Sequence, residues 1–258
     1  MSEKISDQSI YSQEEIKEIP RKLLDLEEPI RKILKDILPN IEKGDYQLII
    51  GDDASGRIPT LIFDKFIKAV YKEKGFNASQ TIFFAGSRFL WSRGGEPMEK
   101  KIDDMQKYVE TINRESGQRI KNALIVTDSI ISGSSISPII EALKASDITP
   151  DLVVIGVQPP ERGNYIDAQD RNRRIGVIND PSIRKYSVGM DRFPKVLGDH
   201  ETSGVYKNEK DLFSTRYKDY DGIGEEYGNE IQDKTNKARG GVSIISDNLI
   251  DWYESRTK

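Results

Sequence analysis

The sequence predicts an α/β domain with a mostly parallel sheet flanked by helices. Four short apolar runs alternate with segments in which apolar residues recur every three or four positions. Such alternation favours right-handed crossovers and a parallel sheet that is covered on both faces. Polar or glycine-containing turns follow the first three runs, and in sheets of this kind ligands bind beyond the carboxyl ends of the strands. We therefore expect a ligand site at that edge of the sheet.

The individual elements follow from their periods and their end signals. Strands are predicted at 46–51, 81–86, 123–127 and 151–158. Helices are predicted at 59–75, 98–112 and 136–146, the first of them ending at Gly75. An amphipathic helical pattern from Pro20 to about Lys43, interrupted near Pro29, is typical of a segment that docks onto a domain.

Three parts of the chain differ in character. Residues 1–43 form the N-terminal helical segment, residues 44–158 the α/β core, and residues 159–258 a loop-rich C-terminal extension or hood. The last part is rich in Arg, Asp, Gly, Asn and Tyr. Its closing stretch, 242–256, predicts a helix or a strand followed by a helix.

Composition excludes several classes of protein. The 258 residues include no cysteine, which removes disulfides, thiolate catalysis and Cys-ligated zinc, and the single histidine, His200, makes a His-rich metal site impossible. The 39 basic and 43 acidic residues give a net charge of -4 and are mixed along the chain, so nucleic-acid binding is not indicated. Neither a membrane-spanning run nor a secretory leader is visible, and a cytoplasmic location is the simplest expectation.

The third apolar run leads into a turn suited to an anion. Ser132, Gly133, Ser134 and Ser135 precede a helix, so backbone N–H groups and hydroxyls would point at a phosphate. Pro138 suits the first turn of that helix. The alternative is an ordinary strand-to-helix connection capped by serine.

Asp128 stands one residue beyond the predicted strand and close to this turn. A carboxylate beside a phosphate repels it unless the carboxylate meets a metal ion or sugar hydroxyls. The combination favours a phosphorylated sugar over a bare phosphate.

The stretch V-T-D-S-I-I-S-G-S-S-I resembles the 5-phosphoribosyl-1-pyrophosphate (PRPP) binding motif of type I phosphoribosyltransferases. The resemblance implies that Asp128 contacts the ribose hydroxyls and the Mg²⁺ ion, while Ser132 to Ser135 hold the 5-phosphate. It covers roughly residues 44 to 158 and implies the fold of that family, with a hood built from the terminal segments.

Two further landmarks of the family occur in the same order. G-D-D-A-S-G-R (51–57) resembles the pyrophosphate loop after the first strand, and F-F-A-G-S-R (83–88) resembles the second strand with its terminal basic residue. The resemblance implies backbone donors at Ser55 and Gly56 and pyrophosphate contacts from Arg57 and Arg88. It also implies a loop at 89–97, with Arg93, that closes over the reacting centre.

The motif departs from the family pattern at two positions. The first of the two acids is Thr127 here, which can still donate to a ribose hydroxyl but brings no charge, and Ile131 stands where purine-salvage members carry an aspartate. Asp52 and Asp53 are open to two interpretations, as turn formers or as residues that hold water on Mg²⁺.

Three functions are compatible with these features. The first is a Mg²⁺-dependent enzyme that transfers the phosphoribosyl group of PRPP to an unidentified nitrogenous acceptor. The second is a non-catalytic sensor of PRPP or a nucleotide, and the third is an interaction protein that keeps the fold without the site. A homodimer is the family's usual state.

Overall fold

The computed structural model describes residues 21–54, 56–85, 98–130, 133, 135–157, 177–188, 203–206, 212–216 and 225–257. The helices are α1 (Arg21–Leu24), α2 (Glu27–Ile41), α3 (Arg57–Lys74), α4 (Met98–Glu115), α5 (Ser137–Ala145) and α6 (Glu225–Thr257). The strands are β1 (Leu48–Asp52), β2 (Gln80–Phe84), β3 (Asn122–Ile130), β4 (Thr149–Val157), β5 (Lys185–Ser187), β6 (Val205–Tyr206) and β7 (Thr215–Arg216). Across these ranges we find no helix with the length and hydropathy that a membrane span requires.

Within the described ranges, the main sheet has five parallel strands in the order β2-β1-β3-β4-β5. Helices cover both of its faces, which confirms the predicted α/β class and the parallel sheet. All four predicted strands are present. The edge strand β5 was not predicted, because its three residues, Lys185 to Ser187, form no apolar run and pair only with β4.

Alternate residues of each central strand face opposite hydrophobic layers, as the pleat requires. In β3, Ala123 and Ile125 pack in the layer of α4 and α5, whereas Leu124 and Val126 pack in the layer of α2, α3 and α6. Each fully buried aliphatic side chain of this kind contributes about 1.5–3 kcal/mol. The two layers together hold the strands in one register.

The N-terminal helical segment packs on the sheet, as its period predicts. Six apolar residues of α2 are buried: Ile30, Ile33, Leu34, Ile37, Leu38 and Ile41. The helical pattern breaks at Asp25 and Leu26, and Pro29 lies in the first turn of α2, where proline is tolerated.

Helix α6 is longer than the sequence pattern indicated. It begins at Glu225, well before the predicted start near Val242, and it shares the hydrophobic layer of α2 and α3. Buried residues recur along it at spacings of three and four: Ile231, Thr235, Ala238, Val242, Ile245, Leu249 and Tyr253. Only two apolar residues mark the N-terminal half of this stripe, and the glycine pair at 240–241 lowers helix propensity. The stripe is therefore hard to recognise without the surface against which it packs.

A small antiparallel pair, β6 and β7, lies beside the carboxyl end of β2. The Ala85 N–H donates to the Leu212 carbonyl (2.8 Å), and the Phe213 ring stacks on Phe84 with centroids 6.0 Å apart. On the other side, a Cβ built on Gly204 would lie 2.7 Å from the Thr235 methyl group. The pair therefore bridges β2 and helix α6.

Candidate functional site

The strand order reverses between β1 and β3. Helix α3 leaves β1 on one face of the sheet, and helix α5 leaves β3 on the other. In α/β proteins, the carboxyl edge between strands whose helices diverge in this way is where a ligand crevice is expected. The turns that the sequence singled out, after β1 and after β3, border this crevice.

The turn after β1 is held by its own hydrogen bonds. The Asp53 N–H donates to the Phe84 carbonyl (2.8 Å), the Ala54 N–H to the Asp53 carboxylate (2.8 Å) and the Gly56 N–H to the Asp52 carbonyl (2.8 Å). Both aspartates are buried. Asp53 therefore acts as a turn former, which is one of the two interpretations left open by the sequence.

Gly56 brings the turn after β1 into close contact with the backbone of β3. A Cβ at this position would lie 2.6 Å from the Asp52 carbonyl oxygen and 2.8 Å from the Val126 carbonyl oxygen of β3. The buried Thr60 hydroxyl donates to the Gly56 carbonyl (2.6 Å) and lies 3.5 Å from the Val126 oxygen. Only glycine allows α3 to start this close to β3. This steric requirement explains why position 56 is glycine, and it could not be recognised from the sequence.

Arg57 opens helix α3 at the border of the crevice. Its Nε lies 3.6 Å from the Asp53 carboxylate, and its guanidinium lies over the Phe83 ring at 4.4 Å from the centroid. Burial lowers the pKa of Arg57, and Asp53 opposes that effect. The guanidinium is thus oriented by a carboxylate and an aromatic ring, and it still exposes 24% of its side chain.

Asp128 lies within β3, not one residue beyond it, because the strand continues to Ile130. Its Oδ1 accepts from the Ser129 N–H (2.5 Å) and lies 3.4 Å from the Ser129 hydroxyl and 3.5 Å from that of Thr127. Its side chain is 7% exposed, and Thr127 is fully buried. The Thr127 hydroxyl therefore contacts the Asp128 carboxylate, where the sequence predicted a contact with ribose.

The turn before α5 contains the predicted glycine in the left-handed region, with φ 72° at Gly133. Its carbonyl accepts from the N–H groups of Ile136 (3.1 Å) and Ser137 (2.9 Å). Pro138 stands in the first turn of α5, as predicted, and none of the described side chains caps the helix. Ser135 lies in the turn beside Gly133.

The predicted site residues divide into two groups. Those that the structure describes come from the C-terminal part of β3 and from the turns and helix starts that follow β1 and β3: Gly56, Arg57, Thr127, Asp128, Gly133 and Ser135. The others lie outside the described residues: Ser55, Arg88, Arg93, Ser132 and Ser134. Within the described ranges there is no group of three or more His, Cys, Asp or Glu side chains that could hold a metal ion by themselves.

Two arginines from the C-terminal part were missed by sequence reasoning. Arg239 of α6 and Arg216 of β7 both act electrostatically on Arg57 and lower its pKa further, as like charges do. Neither belongs to a recognisable motif. They come from positions 159 and 182 residues beyond Arg57, so only the tertiary structure brings the three charges together.

Lys101 is a second residue that the sequence did not single out. It is 6% exposed, and its ammonium group donates to the Ala85 carbonyl (2.6 Å) just beyond β2. A buried ammonium group needs such acceptors. Lys101 thus joins α4 to the carboxyl edge of the sheet.

A different polar cluster lies at the opposite, amino edge of the sheet. The buried Asp151 carboxylate accepts from Arg184 (2.9 and 2.7 Å) and from the Tyr46 hydroxyl (2.6 Å). Asn40 contacts both Arg184 (3.3 Å) and Tyr46 (3.4 Å). Because this edge is not where such sheets bind ligands, the cluster is assigned to stability: it ties β4, α2 and the segment before β5 together.

Comparison of the chain with protein-family models, with curated proteins and with solved structures gives no match. An assignment of function therefore depends on the residues of the crevice.

Proposed function

We propose that the protein binds PRPP in the crevice between β1 and β3 and acts as a type I phosphoribosyltransferase-like enzyme. The observation that carries the proposal is the sequence of Asp128 in the last part of β3 and a glycine turn that leads into α5, on the strand whose backbone the Gly56 turn approaches. A sugar phosphate has hydroxyls for the carboxylate and an anion for the helix N-terminus. Arg57 borders the same crevice and would bind the pyrophosphate.

In the proposed reaction, a nitrogen of the acceptor forms a bond to C1 of the ribose while the C1–O bond to pyrophosphate breaks. The electron pair of that bond leaves with pyrophosphate, and the acceptor nitrogen gives up a proton. Negative charge grows on the leaving group, so a guanidinium such as Arg57 lowers the barrier if it contacts that group.

The donor set also fits Mg²⁺. This ion is usually held by one or two carboxylates together with substrate oxygens and water, so a full protein cage is not required. Asp128 would supply the carboxylate. Bound in that way, the ion would add positive charge at the pyrophosphate.

A non-catalytic PRPP or nucleotide sensor is the second candidate, and one observation favours it. Threonine stands at position 127, so the strand offers one carboxylate where the family pattern has two. Thr127 is fully buried, and its hydroxyl contacts the Asp128 carboxylate. Fewer charges at the ribose would weaken stabilisation of the positive charge that develops there while leaving phosphate binding intact.

Calorimetric titration of the full chain with PRPP and Mg²⁺ tests binding, and pyrophosphate release in the presence of a panel of nucleobases and amines tests turnover. We expect saturable binding, and we expect Asp128→Asn to weaken it at least tenfold, because charged hydrogen bonds contribute about 1.5–3 kcal/mol each. Asp251→Asn, at an exposed position of α6, is the matched control. Binding without turnover selects the sensor, and no binding at all refutes the proposal.

The remaining parts of the proposal are a cytoplasmic location, a homodimer and the absence of a nucleic-acid partner. The oligomeric state is measured by light scattering coupled to size exclusion. A monomer that still binds PRPP would remove the homodimer from the proposal without affecting the site.

A further inference from the structure

The C-terminal part of the chain reaches the crevice through two anchored elements. Strand β7 is fixed beside β2 by the Ala85 to Leu212 hydrogen bond and by the Phe213 ring on Phe84. Val205 of β6 pairs directly with Arg216 of β7, so the position of this arginine along the hairpin is set by the register.

Arg239 is positioned by its neighbours along one stripe of α6. Thr235, Arg239 and Ser243 are spaced by four residues, so they lie on the same face of the helix. Thr235 packs against Gly204, next to β6, and the Ser243 hydroxyl accepts from Lys65 of α3 (2.6 Å). Arg239 therefore lies one helical turn from each of these two contacts, between the hairpin and helix α3.

Arg57, Arg216 and Arg239 are termed the arginine cluster. The Arg57 guanidinium lies over the ring of Phe83, the strand neighbour of Phe84, on which Phe213 stacks just before β7. Asp53 is the acid that contacts Arg57. Among the residues that the structure describes, neither Arg216 nor Arg239 makes an ion pair, and both are exposed. Cations that face one another without acids repel, and an anion with several charges would relieve that repulsion.

We propose that Arg57, Arg216 and Arg239 together bind a diphosphate group, so that the hairpin and α6 complete the anion site begun by the β1 turn. Guanidinium groups suit this ligand because each can contact two phosphate oxygens at once. Diphosphate carries more oxygens and more negative charge than orthophosphate, so it can contact more guanidinium groups at once. The identity of the whole ligand rests on the proposed function, whereas diphosphate binding depends on the arginines alone.

The test is calorimetric titration of the full chain with inorganic pyrophosphate and with orthophosphate, in buffer that contains EDTA, so that no metal contributes. We expect pyrophosphate to bind at least tenfold more tightly than orthophosphate. Arg216→Gln and Arg239→Gln should each weaken pyrophosphate binding by about tenfold, the effect of losing a charged hydrogen bond. Both side chains are exposed, so their replacement should leave the melting temperature unchanged.

Arg119→Gln is the matched control, since it removes the same charge from an exposed position before β3. If pyrophosphate fails to bind, or if Arg216→Gln and Arg239→Gln bind it as well as Arg119→Gln does, the arginine cluster is not a diphosphate site.

A parallel titration with PRPP and Mg²⁺ separates this inference from the proposed function. Pyrophosphate binding that depends on the cluster, with no preference for PRPP, would support the diphosphate site and refute the phosphoribosyl assignment. PRPP binding that depends on Asp128 but not on Arg216 or Arg239 would support the phosphoribosyl assignment and refute the diphosphate site.

Discussion

Replacing Gly56 by alanine tests the close approach of the β1 turn and helix α3 to strand β3. The backbone of Gly56 has φ -79° and ψ -9°, which alanine adopts freely, so the effect of the substitution is purely steric. The added Cβ would meet the Asp52 oxygen at 2.6 Å, the Val126 oxygen at 2.8 Å and the Asp52 nitrogen at 3.0 Å. All three are backbone atoms, and they cannot swing aside as a flexible side chain would.

The magnitude follows from the cost of overpacking. An extra methyl group in a tightly packed site costs about 1–3 kcal/mol, and the upper end applies here because β1 or β3 has to shift. About 3 kcal/mol in a chain of this size lowers the melting temperature by roughly 6–12 °C. A shift of β3 would also displace Asp128, two residues beyond Val126, so PRPP affinity should fall as well.

Urea denaturation followed by circular dichroism measures the loss of stability, and calorimetry measures the loss of affinity. Gly240→Ala is the matched control, because no atom of the described residues lies within 4 Å of a Cβ at that position in α6. Alanine there should stabilise the helix by about 0.5–1 kcal/mol. If Gly56→Ala unfolds within about 0.5 kcal/mol of the wild type and binds PRPP normally, the close approach of α3 to β3 is refuted.

Other predictions concern the amino edge of the sheet. Asp151→Asn should destabilise the protein by about 1–3 kcal/mol in urea denaturation, because it removes the charge that Arg184 and Tyr46 contact. A free energy of unfolding equal to that of the wild type would show that the cluster does not stabilise the fold. Burial raises the pKa of Tyr46 and of Tyr71 above the ordinary value of 10.0, and for Tyr46 the Asp151 carboxylate adds to the effect. As the pH rises above 10, these hydroxyls ionise in the unfolded chain but stay protonated in the folded state. Their contribution to the free energy of unfolding is therefore complete below pH 10 and is lost as the pH rises above it. Above pH 10, the free energy of unfolding should fall by about 1.4 kcal/mol per pH unit for each of the two tyrosines. Tyr46→Phe removes one of these groups, so it should make the fall less steep by about 1.4 kcal/mol per pH unit. An unchanged slope in Tyr46→Phe would contradict the raised pKa of Tyr46.

Much of the fold could be read from local patterns, because the elements concerned bury apolar residues with a regular period. The strand at β1 and the helix that ends at Gly75 are examples, and Gly75 does take the left-handed conformation that a helix end favours. Strand β5 and the first half of α6 could not be read in this way. Their burial depends on partners elsewhere in the chain, and their own residues show little periodicity.

The features of the candidate site also divide into those that local sequence predicts and those that depend on contacts between distant segments. Local sequence was enough to predict that the Gly133 turn follows a buried strand and precedes a helix, because a strand, a turn and a helix start are local features, although the strand runs past Asp128 to Ile130. Two features depend on the tertiary fold. Gly56 lies against the backbone of β3, and Arg216 and Arg239 act electrostatically on Arg57. The reason is that steric contact and charge repulsion depend on distance in space, and these partners are about 70 to 180 positions apart along the chain, where no local period connects them.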